Sequence, residues 1–478
     1  MYKFLVDIWK LFSNLSLHFS LKMIRFLKKL TVTQIFEFLL TLVLLGVILN
    51  VYIKSAFSIT HGNIFSLYKD MLILLFIVFS IATFSIKTNS MSLNNYDLLF
   101  LCFLMFGLFQ IINNYVTTNS LISGIYKFRR YLLTYVLYFC FVSFFKINSK
   151  YFDIAIKIAK LIVVISFLWS ITESLAVNTK IIPIASITSF LRTSIILEND
   201  ALYQVSHKGE NYLPRTYGVI ADVSLSGVFY LIGLMAFAPE SIQKNKTKDT
   251  MFILLGITAI LTSTSKTALF LLFVISPFML SIKSRKSKYF KILILLLACA
   301  TFMLYNKTIA FRGMVDATIF TAVPVYIEQL QSDISNASLF EILFGRGYDV
   351  KREELLLLGL QGTVDENFNW GNDLLFVNIL MMWGIIGFVM YATIFIFYPL
   401  VLFYKAKSTF IKGTSLSVIV AGLSSVHNNA IFHSGIDIIV CLFLACMSYA
   451  YYKDKPSKNK QLISGCEKSC LVIPVANT

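Results

Sequence analysis

The two longest polar segments of this chain, residues 178 to 215 and 307 to 371, contain no cysteine. All seven cysteines, at 102, 140, 299, 441, 446, 466 and 470, lie in apolar stretches or in the Lys-rich tail over 453 to 478. A disulfide framework therefore has no basis. Cys466 and Cys470 lack the further ligands that a zinc site needs, so all seven read as free thiols. The polar segments also lack HExxH, a CxxC pair, a Walker loop, GxSxG and a DxD-type pair. Metal-dependent chemistry, ATP use and a bound cofactor are thus without support. A cleavable signal peptide needs a clean apolar run and a small-residue cleavage site. Residues 1 to 30 instead interleave Phe, Leu, Ile and Trp9 with Lys3, Lys10, Lys22, Arg25, Lys28 and Lys29. That pattern predicts an interfacial helix within 1 to 33, lying on an anionic inner leaflet. Neither an internal repeat nor a low-complexity linker is present.

What is abundant is hydrocarbon. Hydrophobic residues make up 57% of the chain and aromatics 15%, with a mean hydropathy of +0.75, whereas soluble domains average about 45 to 50% apolar. The apolar residues come in about twelve stretches, each long enough as a helix to cross roughly 30 Å of hydrocarbon. The reading is an all-α, polytopic membrane protein with one integral membrane domain over 1 to 478. Spans are predicted near 34–57, 68–86, 96–116, 128–146, 153–177, 217–238, 251–264, 266–282, 289–306, 372–404, 414–432 and 434–452.

A net charge of +17 could suggest nucleic acid, but the Lys and Arg residues sit between spans rather than on a soluble basic module, so no nucleic-acid partner is expected. Basic clusters at Lys244, Lys246 and Lys248, at Lys283, Arg285, Lys286 and Lys288, at Lys405 and Lys407, and from Lys453 to Lys460 all fall on one side. The positive-inside rule makes that side cytoplasmic, with both termini, and puts both long polar segments outside. In the second of these, residues 312 to 331 could form an amphipathic helix broken near Pro324. Ser338-Leu339-Phe340-Glu341 fits a capping box and Gly345 a helix stop, so 339 to 344 reads as a short helix.

Ionisable groups inside spans are costly and point to function. Glu173, Asp222, Lys266, Asp373, His427, His433 and Asp437 all lie within a turn or two of the outer ends. This pattern favours an outward-facing polar site over an ion-coupled carrier, whose coupling groups lie near the midplane. Arg215 leads into a span and Arg346 sits between Gly345 and Gly347. A guanidinium suits bidentate binding of phosphate oxygens, and it equally suits snorkelling to lipid headgroups. Asp373 fits both an N-cap stabilised by the helix dipole and a proton acceptor. His427 and His433 fit hydrogen-bonded structural roles as well as a site. Lys266, where two short spans meet at Ser263 to Thr267, is placed partly buried in a cavity.

Three segments carry a family resemblance. LPRTYGVIADVSLSGVFYLIGL, from Leu213, looks like an Arg-x-x-Gly entry into a span, with Arg215, Gly218 and then Asp222 where Pro-Asn often stands. LTSTSKTALFLL, from Leu261, is similar to a Ser-Arg-x-Ala segment with Lys266 in place of Arg. LFGRGYD and the later GNDLLFVNILMMWGIIGF look like a Gly-x-Gly loop followed by a polar residue eleven positions before a Gly-Ile-Ile-Gly turn, here Asp373 before Gly384. Together they resemble the O-antigen polymerases and ligases, lipid-linked polysaccharide transferases of the Wzy and WaaL type. Ligases commonly carry His-Asn where this chain has Asp373-Leu374, so the resemblance leans toward a polymerase.

The resemblance implies a glycosyltransferase without a metal in the inner (cytoplasmic) membrane, acting in lipopolysaccharide or related polysaccharide biosynthesis. The donor would be a glycan on undecaprenyl diphosphate and the acceptor a lipid-linked repeat unit, both in the outer leaflet. Arg215 and Arg346 would hold the diphosphate, with Lys266 as a third cation and Arg312 as a weaker one. Asp373 would orient or deprotonate the acceptor hydroxyl, and Asp222, His427 and His433 would line the sugar cavity. A chain-length regulator protein is a further partner consistent with that role, beside membrane lipid itself. A ligase passing finished glycan to another acceptor, and a lipid-linked oligosaccharide flippase, are the alternatives.

Overall fold

A computed structural model describes residues 31–56, 67–87, 93–118, 121–179, 181, 216–220, 222–244, 247–263, 265–280, 337–347, 375–424, 430–433 and 435–454. Among the described residues every regular element is a helix. The α-helices are α1 (Val32–Ile48), α2 (Asn50–Ala56), α3 (Tyr68–Lys87), α4 (Asn95–Thr118), α5 (Leu121–Tyr131), α6 (Leu137–Ile147), α7 (Ser149–Asn178), α8 (Val223–Lys244), α9 (Thr247–Ser263), α10 (Lys266–Leu280), α11 (Leu339–Phe344), α12 (Leu375–Ala392), α13 (Tyr398–Lys405), α14 (Thr409–Ser424) and α15 (Ile436–Asp454). In hydrocarbon this is the expected outcome, because a helix satisfies its backbone N–H and C=O groups within one segment.

Among the described residues four helices are long and apolar enough to cross a membrane: Asn95–Val116, Ser149–Val177, Leu225–Gln243 and Met382–Lys405. A fifth results if Gly124–Tyr131 and Leu133–Ile147, bent by 55° at a 3-10 stretch, are one span. The protein is a multi-pass membrane protein. Shorter apolar helices, Val32–Ile48, Asp249–Ser263, Thr267–Phe278, Thr409–Ser424 and Ile436–Tyr451, stand beside these.

Three of the spans read from hydropathy have different shapes in the structure. The stretch expected to enter at residue 217 is a turn over 216–220, and its helix begins only at Val223, because side chains from other helices hold the backbone of Tyr217 and Gly218. The stretch 372–404 is interrupted at Gly384 (φ 64°) and again passes through a π-helical run, Thr393–Phe397. The stretch 128–146 is the bent pair. Hydropathy averages over a window, so it registers none of these breaks. The span near 289–306, the helix within 312–331 and nearly all of 1–33 lie outside the described residues.

Helix α8 is the axis of the fold: 94% of its most apolar window is buried, against 39 to 44% for the other three long helices. It packs on α7, α9, α10 and α14, and Ser417 of α14 donates to the Ile232 carbonyl at 2.5 Å. At one end of the bundle, the starts of α4 and the ends of α6 and α15 meet around Asp97, which is fully buried. Its carboxylate accepts from Tyr138 Oη (2.5 Å), Ser448 Oγ (3.0 Å), Lys146 Nζ (3.2 Å) and the Asn94 N–H (3.0 Å). Asn94 in turn accepts from the Asp97 N–H at 2.8 Å, a reciprocal cap of α4. Every lone pair of this carboxylate has a donor, so it reads as a tertiary lock.

Candidate functional site

The opposite end of the bundle collects the three sequence segments. The short helix α11 forms as its sequence dictates: Ser338 Oγ accepts from the Glu341 N–H, and Glu341 Oε2 accepts from the Ser338 N–H at 2.7 Å. Gly345 (φ 78°) ends it. The chain then runs as a strap, Gly345-Arg346-Gly347, lodged in the break of α12. A methyl group on Gly345 would lie 2.2 Å from the Met382 carbonyl oxygen, and one on Gly384 would lie 2.4 Å from the Leu343 carbonyl, so the two backbones can approach this closely only as glycines. The Gly347 N–H donates to the Met382 carbonyl at 3.0 Å, a carbonyl freed from its helix by the kink. From α4, Gln110 Nε2 donates to the Phe344 carbonyl (2.7 Å) and Asn113 Nδ2 to the Gly345 carbonyl (2.9 Å). The Arg346 side chain is 23% exposed, with Nε 3.4 Å from Glu341 Oε1.

Directly after Arg215, the turn over 216–220 is clamped from several helices. Glu173 of α7 accepts the N–H groups of Tyr217 (2.6 Å) and Gly218 (3.0 Å), Tyr52 Oη donates to the Gly218 carbonyl (2.6 Å), and Ser226 Oγ donates to the Tyr217 carbonyl. Ser170 Oγ bridges Thr216 Oγ1 (3.0 Å) and Thr262 Oγ1 (3.1 Å), which joins this turn to the tip between α9 and α10. Lys266 is the first residue of α10 at that tip. Asp222 caps α8, accepting from the Leu225 N–H at 2.9 Å.

Beside the turn, the connection from α14 to α15 brings His433 toward Asp222 and Asp437, with Lys69 and Arg130 nearby. Asp437 is fully buried, and its Oδ2 lies 3.7 Å from Lys69 Nζ. Arg129 Nε lies 3.4 Å from Asp70 Oδ2. The Nδ1 of His433 is sealed from solvent and has no hydrogen-bond partner among the described residues. Burial pushes this imidazole below its usual range, against the opposing pull of the two carboxylates. The strap is one aromatic contact away, since Trp383 packs on Phe432 with ring centroids 5.5 Å apart.

No family model, curated protein or solved structure matches the chain. Function is read from the residues themselves. Of the expected site residues, the structure gathers Asp222 and His433 into one cluster, carries Arg346 on the strap lodged against α12, and places the backbone of Lys266 at a tip bonded to the 216–220 turn through Thr262, Ser170 and Thr216. Arg215, Arg312, Asp373 and His427 lie outside the described residues, as do most of 178–215 and 307–371.

Sequence reasoning missed Lys69, Asp70, Lys127, Arg129 and Arg130, which meet at this end because α3 begins there and the bent α5 ends there. It also missed Gln110, Asn113 and Asn114. Their signal was available, as three amides at i, i+3 and i+4 form a polar stripe on an otherwise apolar helix.

Proposed function

We propose that this protein is a polysaccharide polymerase of the O-antigen type, transferring a glycan from undecaprenyl diphosphate to a lipid-linked repeat unit on the outer face of the cytoplasmic membrane. The observation that carries this reading is the seating of Arg346: a guanidinium on a strap held by backbone hydrogen bonds, set at the same end of the bundle as the 216–220 turn, which directly follows Arg215 in sequence, and the Lys266 tip. In this reading the chain has about twelve spans with both termini cytoplasmic, and that end of the bundle faces outward.

The chemistry asks little of the protein beyond placement. Diphosphate is a good leaving group and needs no general acid, so positioning and charge stabilisation suffice. Arg215 and Arg346 hold its oxygens, with Lys266 as a third cation and Arg312 as an auxiliary one. The acceptor hydroxyl, oriented by Asp373, attacks the anomeric carbon. The bond from that carbon to the diphosphate oxygen breaks, and the hydroxyl proton passes to Asp373. Asp222, His427 and His433 face the sugars. Inverting stereochemistry follows from a single displacement.

A deletion strain tests this against its neighbours. Loss of a polymerase leaves one repeat unit on the core when surface glycan is run on a gel. A bare core with lipid-linked polymer accumulating would instead mean a ligase, and loss of both would mean a step before polymerisation, such as flipping.

A further inference from the structure

Gln110 and Asn113 are 0% and 4% exposed in the last third of an apolar span. A buried amide without partners costs about 1 to 3 kcal/mol, so a packing role alone would favour Leu or Met at both positions. Both amides instead point their N–H groups at the strap. Their acceptors, the carbonyls of Phe344 and Gly345, belong to the last residue of α11 and to its C-cap, where a helix leaves its C=O groups unsatisfied. Asn113 also donates to Gln110 Oε1 at 3.0 Å, which fixes the pair in one orientation. Gly347 closes the other side on Met382.

The depth of this attachment matters. Asn113 and Gln110 stand three and six residues before the end of the span Asn95–Val116, about 4.5 and 9 Å along the helix axis. A segment of the second long polar loop is therefore drawn down between α4 and α12, and it carries Arg346 with it.

We propose that Gln110 and Asn113 are positioning residues for Arg346, holding the strap by its backbone carbonyls so that the guanidinium is presented within the length of the α4 span rather than out in the loop. This rests on the reading of Arg346 as a ligand of the lipid diphosphate. Neither amide touches substrate. Each acts through the strap, and both are needed because a single hydrogen bond would leave the strap free to pivot.

The test uses the full chain in cells, in a version with its native cysteines replaced. Arg346→Cys, probed with a membrane-impermeant maleimide, reads the strap directly, and Leu339→Cys, an exposed position on α11, serves as control. Combining Asn113→Leu with Gln110→Met should make position 346 react several times faster while 339 is unchanged. With Arg346 intact, the same double variant should lower long-chain glycan by about tenfold or more at equal protein level, since a displacement near 1 Å can cost that much.

Gly345→Ala, which attacks the strap rather than α4, should reproduce both effects. Unchanged labelling in both backgrounds overturns the proposal, and so does faster labelling with full-length glycan. If Arg346→Ala itself retains full-length glycan, the catalytic reading of Arg346 ends, and the positioning role with it. Labelling would still report whether the amides hold the strap, so the two failures are distinct.

Discussion

The N–H of Gly347 and the carbonyl of Met382 meet at 3.0 Å across a gap of 35 residues, one from a polar loop and the other from the break in a membrane helix. The kink at Gly384 frees that carbonyl, and the strap supplies its missing donor. The two halves of the motif are thus one structural unit.

Gly384→Ala should separate them. The added methyl would lie 2.4 Å from the Leu343 carbonyl, at a φ of 64° that L residues rarely adopt. Long-chain glycan is expected to fall by about tenfold or more while the protein remains inserted, because the lesion displaces Arg346 without touching the span's apolar face. Glycan ladders read beside a membrane-fraction immunoblot check both halves of this statement.

Glu173 is expected to matter through the turn it clamps. In Glu173→Gln one of the two accepted N–H groups, from Tyr217 or Gly218, faces an amide donor, at a cost of about 1 to 3 kcal/mol. Shorter or sparser glycan should follow, since Arg215 immediately precedes this turn. A ladder identical to that of the unchanged protein would show that the clamp is not limiting.

At the far end of the bundle, Lys146→Met should destabilise the protein by about 3 to 5 kcal/mol, because it strands the buried Asp97 carboxylate. Lys146→Met with Asp97→Asn should recover part of that loss, because the charge is gone but the new amide N–H group faces one of the remaining donors. Thermal unfolding in detergent measures both, and polymerisation per folded molecule should be the same in each.

His433 gives stability an acid limb. Its folded-state pKa is below the ordinary 6.5, so on acidification the unfolded chain takes up the proton first. Its contribution is present above about pH 6.5 and is lost as pH falls from there toward the folded value. Burial of the ring sets that lower value; of the groups that face it, Asp222 and Asp437 oppose the shift, and Arg130 and Lys69 add to it. His433→Gln should flatten the acid limb of melting temperature between pH 7 and 5, and an unaltered limb would assign it to other groups.

Much of the architecture was legible in the sequence. Apolar run length locates α3, α4, α7, α9, α10 and α15 to within a few residues, because in lipid an apolar run has no alternative to a helix; the runs at 34–57 and 414–432 end well beyond α1 and α14, at Ile48 and Ser424. The cap at Ser338 and Glu341 and the stop at Gly345 were readable because they are local hydrogen-bond grammar. What stayed hidden depends on partners remote in sequence. Gly384 breaks α12 because Gly345 fills the break, and residues 216–220 form a turn because Glu173 holds their N–H groups. The charged cluster of Lys69, Arg130, Asp222, His433 and Asp437 is assembled from four separate stretches, so no single window reveals it.

The central claim is that Arg346 grips a lipid-borne diphosphate during chain growth. It is tested most directly with purified protein in bilayers, given undecaprenyl-diphosphate-linked repeat units and followed by gel over time. The unchanged protein should produce a ladder of lengthening chains and release undecaprenyl diphosphate, and Arg346→Ala should produce neither at any donor concentration within reach. Equal ladders from both proteins, or no chain growth from the unchanged one, would contradict the account.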